Sequence, residues 1–101
     1  MTCSLSTHVL DTGAGKPAAG VVVELSVAGD GYEKLLASGT TDADGRIPSL
    51  ADGLAPGTYL LVFHPPSPFF TRVELQVELA DGHYHVPLLV SPYGCASYRG
   101  S

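Results

Sequence analysis

A chain of 101 residues is long enough for one small domain, and 45% hydrophobic with 15% charged residues is the composition of a folded domain. Ten acidic residues against five scattered basic ones give a net charge of −5, which argues against nucleic acid as a partner, because phosphates require clustered Lys and Arg. No apolar run approaches the ~20 residues that cross a bilayer. We therefore expect a single domain over 1–101 without membrane association.

Alternation of apolar and polar residues runs through most of the chain and predicts short β-strands with one buried face. In chain order, strands are predicted near 5–11, 20–28, 33–40, 58–64, 72–80, 83–90 and 93–98, and an eighth, short strand would fit near 46–50. Turn signals rich in Gly, Pro and Asp lie between them at 13–20, 29–31, 42–45 and 54–57. This pattern predicts an all-β fold, a two-sheet antiparallel sandwich of seven to eight short strands.

The strand near 72–80 has apolar residues at odd positions from 73 to 79, with charged or amide residues between them. Because its charges lie on one face only, we expect it at a sheet edge, paired with another chain. The span 64–68 before it holds three prolines, each of which removes a backbone donor and restricts the preceding residue. No helix is expected there.

Three histidines are candidates for chemistry. His8 lies near a strand end, where a lone histidine is usually structural or exposed. His83 and His85 are two residues apart on one strand, so both imidazoles project from the same face. They could share a zinc ion with further ligands such as His8 or His64, form a metal-free acid–base site, or be one packed and one solvated residue. The residues alone leave these alternatives open.

Arg46 follows an Asp-Gly turn, where an arginine is usually a solvated loop residue. Its guanidinium could instead bind a planar, carbonyl-rich or anionic ligand. Beside a histidine, its charge would also lower the pKa of the imidazole and keep it neutral, able to act as a base. The turn lacks the distal glutamate of a calcium loop, so no calcium site is predicted.

Cysteine usage and the two chain ends lead us to expect a cytoplasmic protein. Cys3 and Cys95 have no zinc or redox spacing, and we interpret them as free thiols in a reducing compartment, with one disulfide as the less favoured alternative. The first four residues lack the features of a signal peptide, and the last four are not a peroxisomal address. Ser101 carries a hydroxyl and the terminal carboxylate, although chain ends are usually frayed.

Four segments together match one known pattern. They are Leu-Ser-Thr-His-Val-Leu-Asp-Thr at 5–12, the turn ending at Arg46, His-Tyr-His-Val-Pro-Leu-Leu-Val-Ser-Pro-Tyr-Gly at 83–94, and Tyr-Arg-Gly-Ser at 98–101. With these segments the chain resembles the 5-hydroxyisourate hydrolases, the enzyme branch of the transthyretin-like family. The resemblance spans nearly the whole chain. Transthyretin itself lacks counterparts of His8, His85 and this ending.

The resemblance implies a transthyretin-like, or prealbumin-like, sandwich that assembles into a homotetramer. Strands near 72–80 and 93–98 would pair across each dimer, and active sites would form where subunits meet. The connection from 63 to 73 is short for the family, so the family's short helix is expected to be missing. Cys95 stands where the family usually has an aromatic residue.

The resemblance also implies a hydrolase of purine metabolism and urate degradation, which opens the ring of 5-hydroxyisourate to 2-oxo-4-hydroxy-4-carboxy-5-ureidoimidazoline. His8 and His85 would activate water and transfer protons, Arg46 would orient the substrate, and Ser101 would complete the pocket. Further substrate-binding residues would be Tyr98, Arg99 and Gly100. No metal or other cofactor is expected, because the substrate is already reactive.

Two other functions compete with this hydrolase. The same sandwich could be a non-catalytic carrier or interaction module, which would bind a ligand without turnover. A zinc hydrolase using His83, His85 and His8 is the third hypothesis. We favour the metal-free hydrolase because two specific segments, far apart in the sequence, both indicate it.

Overall fold

The computed structural model describes residues 1–28 and 34–100, and all regular structure in these ranges is β-strand. The nine strands are β1 (Cys3–Asp11), β2 (Lys16–Pro17), β3 (Val22–Val27), β4 (Lys34–Thr40), β5 (Arg46–Leu54), β6 (Gly57–His64), β7 (Val73–Leu79), β8 (Gly82–Val90) and β9 (Cys95–Ser97). All seven expected strands are present, the optional strand near 46–50 extends to Leu54, and β2 is an addition. The turn expected at 29–31 lies outside the described residues.

The strands form two sheets, which confirms the predicted all-β sandwich. The first sheet has the order β2-β1-β8-β9, with β5 also paired to β1, and the second has the order β4-β3-β6-β7. One pair departs from the antiparallel pattern: β1 and β8 run parallel, in register from Cys3↔Gly82 to Asp11↔Val90. This pairing brings the two ends of the chain side by side.

The core lies between the sheets and is filled by the apolar residues of the alternating strands. The largest fully buried side chains are Phe63, Leu5, Leu25, Leu61, Leu79 and Leu88. Burial of each such side chain contributes about 1.5–3 kcal/mol to folding. The opposite face of the first sheet is therefore free to carry polar residues, and the candidate site lies there.

Two strands lie at free sheet edges on the same side of the sandwich. Among the described residues, β7 pairs only with β6 and β9 only with β8, so the edge position expected for the strand near 72–80 is confirmed. Between these edges lies a cavity of about 460 Å³, lined by β7 and by Tyr84, Val86 and the segment 97–99.

The connection from β6 to β7 contains no helix, as predicted from its prolines. The Ser67 hydroxyl holds it by accepting the backbone N–H groups of Phe69 and Phe70 at 3.1 and 2.9 Å and by donating to the Pro92 carbonyl at 3.0 Å. Nowhere in 1–28 or 34–100 is there a helix that could span a membrane.

The two cysteines are free thiols, in agreement with the favoured interpretation. Cys3 is buried in the core, and burial, followed by the charge of Asp81, raises the pKa of its thiol. Cys95 is exposed on the edge strand β9.

Candidate active site

The outer face of the first sheet carries a cleft built from both ends and the middle of the chain. Strand β1 pairs with β5 and with β8. The register places Arg46 opposite His8, and His85 opposite Ser6. The cleft has a volume of about 430 Å³ and is lined by Ser6, Thr7, His8, Arg46, Pro48, His83 and His85.

Strand alternation explains why these side chains share one face. In β1, Leu5 and Val9 are fully buried in the core, so Ser6 and His8 point to the other side of the sheet. In β8, Leu88 is buried in the same way, and His85, three residues before it, points outward. Because the strands are adjacent, the outward side chains meet in one cleft.

A tight turn fixes the position of Arg46. The Asp42 carboxylate accepts the backbone N–H groups of Asp44 and Arg46 at 2.9 and 3.0 Å. Gly45 has a φ of +73°, and a Cβ there would lie 2.5 Å from the carbonyl oxygen of Val9. The Gly45 carbonyl in turn accepts the Val9 N–H at 2.7 Å. The turn is thus pressed against β1, and β5 must begin beside His8.

The two imidazoles of the cleft are near neighbours. The ring centroids of His8 and His85 are 6.5 Å apart, and the ring planes are inclined by 39°. At this separation both rings can reach the same small molecule. The cleft therefore offers two imidazoles that can accept or donate protons.

The pKa of His85 is lowered from its ordinary value of 6.5. Burial is the largest cause, because a partly dry environment disfavours the charged ring; the positive charges of His8, His83 and Arg46 add to it in that order. The lowering of a histidine pKa that we expected from Arg46 is therefore present for His85, but Arg46 is the smallest of the four causes. A neutral His85 is the form that can accept a proton.

Two serines of β1 bind the imidazoles of β8. The Ser6 hydroxyl oxygen lies 2.8 Å from Nδ1 of His85 and 2.9 Å from Nε2 of His83. The Ser4 hydroxyl oxygen lies 2.7 Å from Nδ1 of His83. These contacts fix both rings and leave Nε2 of His85 without a hydrogen-bond partner among the residues that the structure describes.

The end of the chain returns to the cleft at Gly100. Its backbone N–H donates to the His85 carbonyl at 2.6 Å, forming an isolated antiparallel bridge. A Cβ on Gly100 would lie 2.7 Å from Cδ2 of His85, so only glycine fits without displacement. Glycine is required here by close approach.

Residues 5–100 match the model of the HIUase/Transthyretin family. The chain belongs to this family. Its relatives include 5-hydroxyisourate hydrolase 2 of Rhizobium meliloti, 42% identical over 114 residues that cover 96% of this chain and 95% of the relative. The structure is similar to Klebsiella pneumoniae 5-hydroxyisourate hydrolase, with a TM-score of 0.86, 37% identity and coverage of 98% and 99% of the two chains. It is also similar to sea bream transthyretin in complex with thyroxine, with a TM-score of 0.84, 28% identity and coverage of 95% and 93%.

In this member of the HIUase/Transthyretin family, three of the predicted site residues converge and others do not. His8, Arg46 and His85 line one cleft, and Gly100 contacts it. Tyr98 and Arg99 line the cavity between β7 and β9 instead. Ser101 lies outside the described residues.

Arg99 anchors the C-terminal segment away from the cleft. Its guanidinium carbon lies 4.2 Å from the centre of the Tyr84 ring, a cation–π contact. The Tyr84 hydroxyl is itself fixed because it accepts the backbone N–H of Ala80 at 3.0 Å. In the single chain, Arg99 therefore holds the segment that delivers Gly100 to His85.

The geometry of the histidines bears on the zinc hypothesis. Within 1–28 and 34–100, no group of three or more His, Cys, Asp or Glu side chains is arranged to hold a metal ion. Both ring nitrogens of His83 already have a serine hydroxyl at hydrogen-bond distance. In this arrangement neither ring nitrogen of His83 is left open for a metal ion.

Ser4 and Ser6 were not predicted as site residues. The available signal was the alternation of Ser4, Ser6 and His8 with the buried Leu5 and Val9, which places the two serines on the histidine face. What the sequence could not supply is the register that sets Ser6 opposite His85, 79 residues away.

Proposed function

We propose that this chain is a hydrolase that opens the ring of 5-hydroxyisourate to 2-oxo-4-hydroxy-4-carboxy-5-ureidoimidazoline in urate degradation. The observation that carries the proposal is the convergence of His8, Arg46 and His85 in one cleft. The identity of 42% to a curated 5-hydroxyisourate hydrolase over nearly the whole chain supports it. The likeness to the enzyme from Klebsiella, at 37% identity, also exceeds that to sea bream transthyretin, at 28%.

The reaction breaks one C–N bond of the six-membered ring. Water adds to the ring carbonyl, the carbon keeps the water oxygen as a carboxylate, and the nitrogen takes a proton to become the NH₂ end of the ureido group. The attack requires a base for the water proton, and departure of the nitrogen requires an acid.

His85 is the residue best placed to be the base. Its pKa is lowered, so it is neutral at neutral pH, and its Nδ1 is held by Ser6 while Nε2 remains available. His8, with its ring centroid 6.5 Å away, would pass a proton to the leaving nitrogen. The distance lets both act on one bound molecule.

Arg46 would bind the carbonyl-rich substrate and stabilise negative charge that develops on oxygen during the attack. Arg46 is paired with His8 and lines the cleft, so its positive charge is available to a bound substrate. Ser101 follows Gly100 in the sequence, and its hydroxyl would complete the pocket. Tyr98 and Arg99 would act by holding this segment. No metal is required in this scheme.

The proposal includes a cytoplasmic homotetramer. Two observations support assembly: the free edges of β7 and β9 lie beside each other, and the cavity between them is lined by apolar residues such as Leu75 and Val77. Dimers would form by pairing of these edges, because unpaired edge strands readily add another strand. Two dimers would then place their outer sheet faces, and hence the clefts, against each other.

The decisive experiment follows the ultraviolet absorbance of freshly generated 5-hydroxyisourate with and without the protein. We expect loss of absorbance faster than the spontaneous rate and unchanged by a chelator. His64→Gln is a matched control, because it removes an imidazole that pairs with Glu24 on the second sheet, away from the cleft. Folded protein that binds the substrate but leaves the spontaneous rate unchanged would indicate the carrier instead.

A further inference from the structure

Four side chains form a continuous hydrogen-bonded row along β1 and β8, which we call the serine–histidine row. It runs from Ser4 through His83 and Ser6 to His85, with successive separations of 2.7, 2.9 and 2.8 Å. The parallel register sets Ser4 opposite His83 and Ser6 opposite His85, so the row is built into the sheet. His85, the proposed base, is at one end of the row, and Ser4 is at the other end, where its hydrogen bond to His83 is exposed.

Ser6 couples the protonation of the two rings. It is 6% exposed, and its hydroxyl lies between two ring nitrogens but has only one proton to donate. If that proton goes to Nε2 of His83, Nδ1 of His85 must be the donor to Ser6. If it goes to Nδ1 of His85, Nε2 of His83 must be the donor. When Ser6 uses its own proton in one of these two hydrogen bonds, the two neutral rings carry their protons on the same nitrogen, both on Nδ1 or both on Nε2.

We propose that His83 is a positioning residue which, through Ser6, keeps the proton of His85 on Nδ1 and its Nε2 open as the base, and which carries protons between His85 and solvent. The inference rests on the proposed function. Of the two coupled arrangements, only the one with both protons on Nδ1 leaves an unprotonated nitrogen of His85 directed away from Ser6. In it, His83 donates from Nδ1 to Ser4.

The proton balance of the row is complete without any further reactant. When Nε2 of His85 takes a proton from the attacking water, the Nδ1 proton of His85 passes to Ser6. The Ser6 hydroxyl proton passes to Nε2 of His83, the Nδ1 proton of His83 passes to Ser4, and Ser4 releases its own to solvent. Both rings stay neutral and no electron is transferred. The row is restored when His85 releases its Nε2 proton to water in the cleft and a solvent proton re-enters at Ser4.

The charged and titratable groups around His85 favour such a relay. His8 of β1, His83 of β8 and Arg46 of β5 face it, and each, when it carries a positive charge, disfavours a positive charge on the His85 ring. Export of a proton through Ser6 avoids that charge, because His85 never has to hold two protons. A water proton can then be removed without forming an imidazolium at His85.

The first test is the ring tautomer, which needs no substrate. Two-bond ¹⁵N–¹H correlation spectra of the labelled, assembled protein should show His83 and His85 both protonated on Nδ1. Resonances are identified with the His83→Gln and His85→Gln variants. Rings in different tautomers, or both protonated on Nε2, would overturn the proposal even if the enzyme is active. Failure of the proposed hydrolysis would leave this result unaffected.

The second test separates tautomer from relay. In His83→Phe, Ser6 is free to donate to Nδ1 of His85, so the Nδ1 tautomer should decrease and kcat should fall roughly 10- to 100-fold. In His83→Gln, the amide oxygen can still accept the Ser6 proton, so the tautomer should be retained while kcat falls, because an amide cannot relay protons. If His83 were only structural, the two variants would not differ in the tautomer of His85 while both lose kcat. Wild-type kcat and tautomer in both folded variants would refute the proposal.

Discussion

The backbone N–H of Gly100 donates to the carbonyl of His85 at 2.6 Å, and the glycine lies so close that a Cβ would be 2.7 Å from the imidazole ring. The end of the chain is thereby joined to the strand that carries the proposed base. Because the contact involves ring carbon and backbone, any larger residue must move either the tail or the ring.

Gly100→Ala tests this relationship. We expect kcat/KM to fall by about 100-fold, since a displacement near 1 Å in a catalytic group has an effect of that size. Thermal stability should change little, because the tail contributes only an isolated bridge. The matched control is Gly57→Ala at the start of β6, where a Cβ would approach only a Tyr59 ring carbon, at 3.9 Å. Equal activity of both variants would contradict the proposed role of the tail.

The lowered pKa of His85 predicts how activity depends on pH. A base with a pKa below 6.5 stays unprotonated into mildly acidic solution. In a plot of kcat/KM against pH, the decrease on the acidic side (the acidic limb) should therefore have its midpoint below pH 6.5. His85→Asn should reduce kcat by roughly 10²–10⁴-fold, the usual contribution of a general base. Stopped-flow absorbance on freshly made substrate gives both values. An acidic limb above 6.5 would exclude His85 as the base.

The same shift predicts a dependence of stability on pH. The unfolded chain binds a proton at this histidine near 6.5, whereas the folded chain binds it only at lower pH, so the unfolded state gains protons first on acidification. The free energy of unfolding should therefore decrease as pH falls below 6.5, down to the folded pKa. Urea titrations of wild type and His85→Asn at pH 7.5 and 5.5 measure this. The variant should lose less stability than wild type, and an equal or larger loss would argue against a lowered pKa.

Much of this architecture follows from local pattern. Alternation predicted seven strands, and the shared face of His83 and His85 was correct because strand geometry fixes it. Strand β5 was only partly predicted because its pairing with β1 shifts register twice, and its buried residues Ile47 and Leu50 are three apart rather than two. A bulge removes the alternation on which such predictions depend.

The site was less predictable than the strands because its contacts are long-range. Alternation shows which way Ser6 and His85 point, but not that β1 and β8 are adjacent and parallel. The resemblance to a known family identified His8, Arg46 and His85 as a set. It gave no indication of Ser6, whose importance depends on hydrogen bonds across 77 and 79 residues.

Arg46→Gln tests how much burial and how much charge contribute to the lowered pKa of His85. Because Arg46 is the smallest of the four causes that lower the pKa of His85, its removal should move the acidic limb of kcat/KM upward only slightly. Loss of substrate binding and oxyanion stabilisation should nevertheless lower kcat/KM by about 10²–10³-fold. Arg46→Lys should keep the position of the limb but remain slow, since an ammonium lacks the planar fork. A large upward shift in Arg46→Gln would mean that charge, rather than burial, controls the base.

Val77→Glu tests the proposed assembly. Val77 of β7 lines the apolar cavity between the two free edges, and a carboxylate there would lose its hydration if a second copy covered the cavity. Sedimentation velocity should show the wild type as a tetramer and the variant as smaller species. Leu35→Glu is the control, because Leu35 is 55% exposed on β4, at the opposite edge of the same sheet. If Val77→Glu folds and sediments like the wild type while Leu35→Glu dissociates, the dimer forms through β4 and the roles proposed for β7 and β9 are wrong.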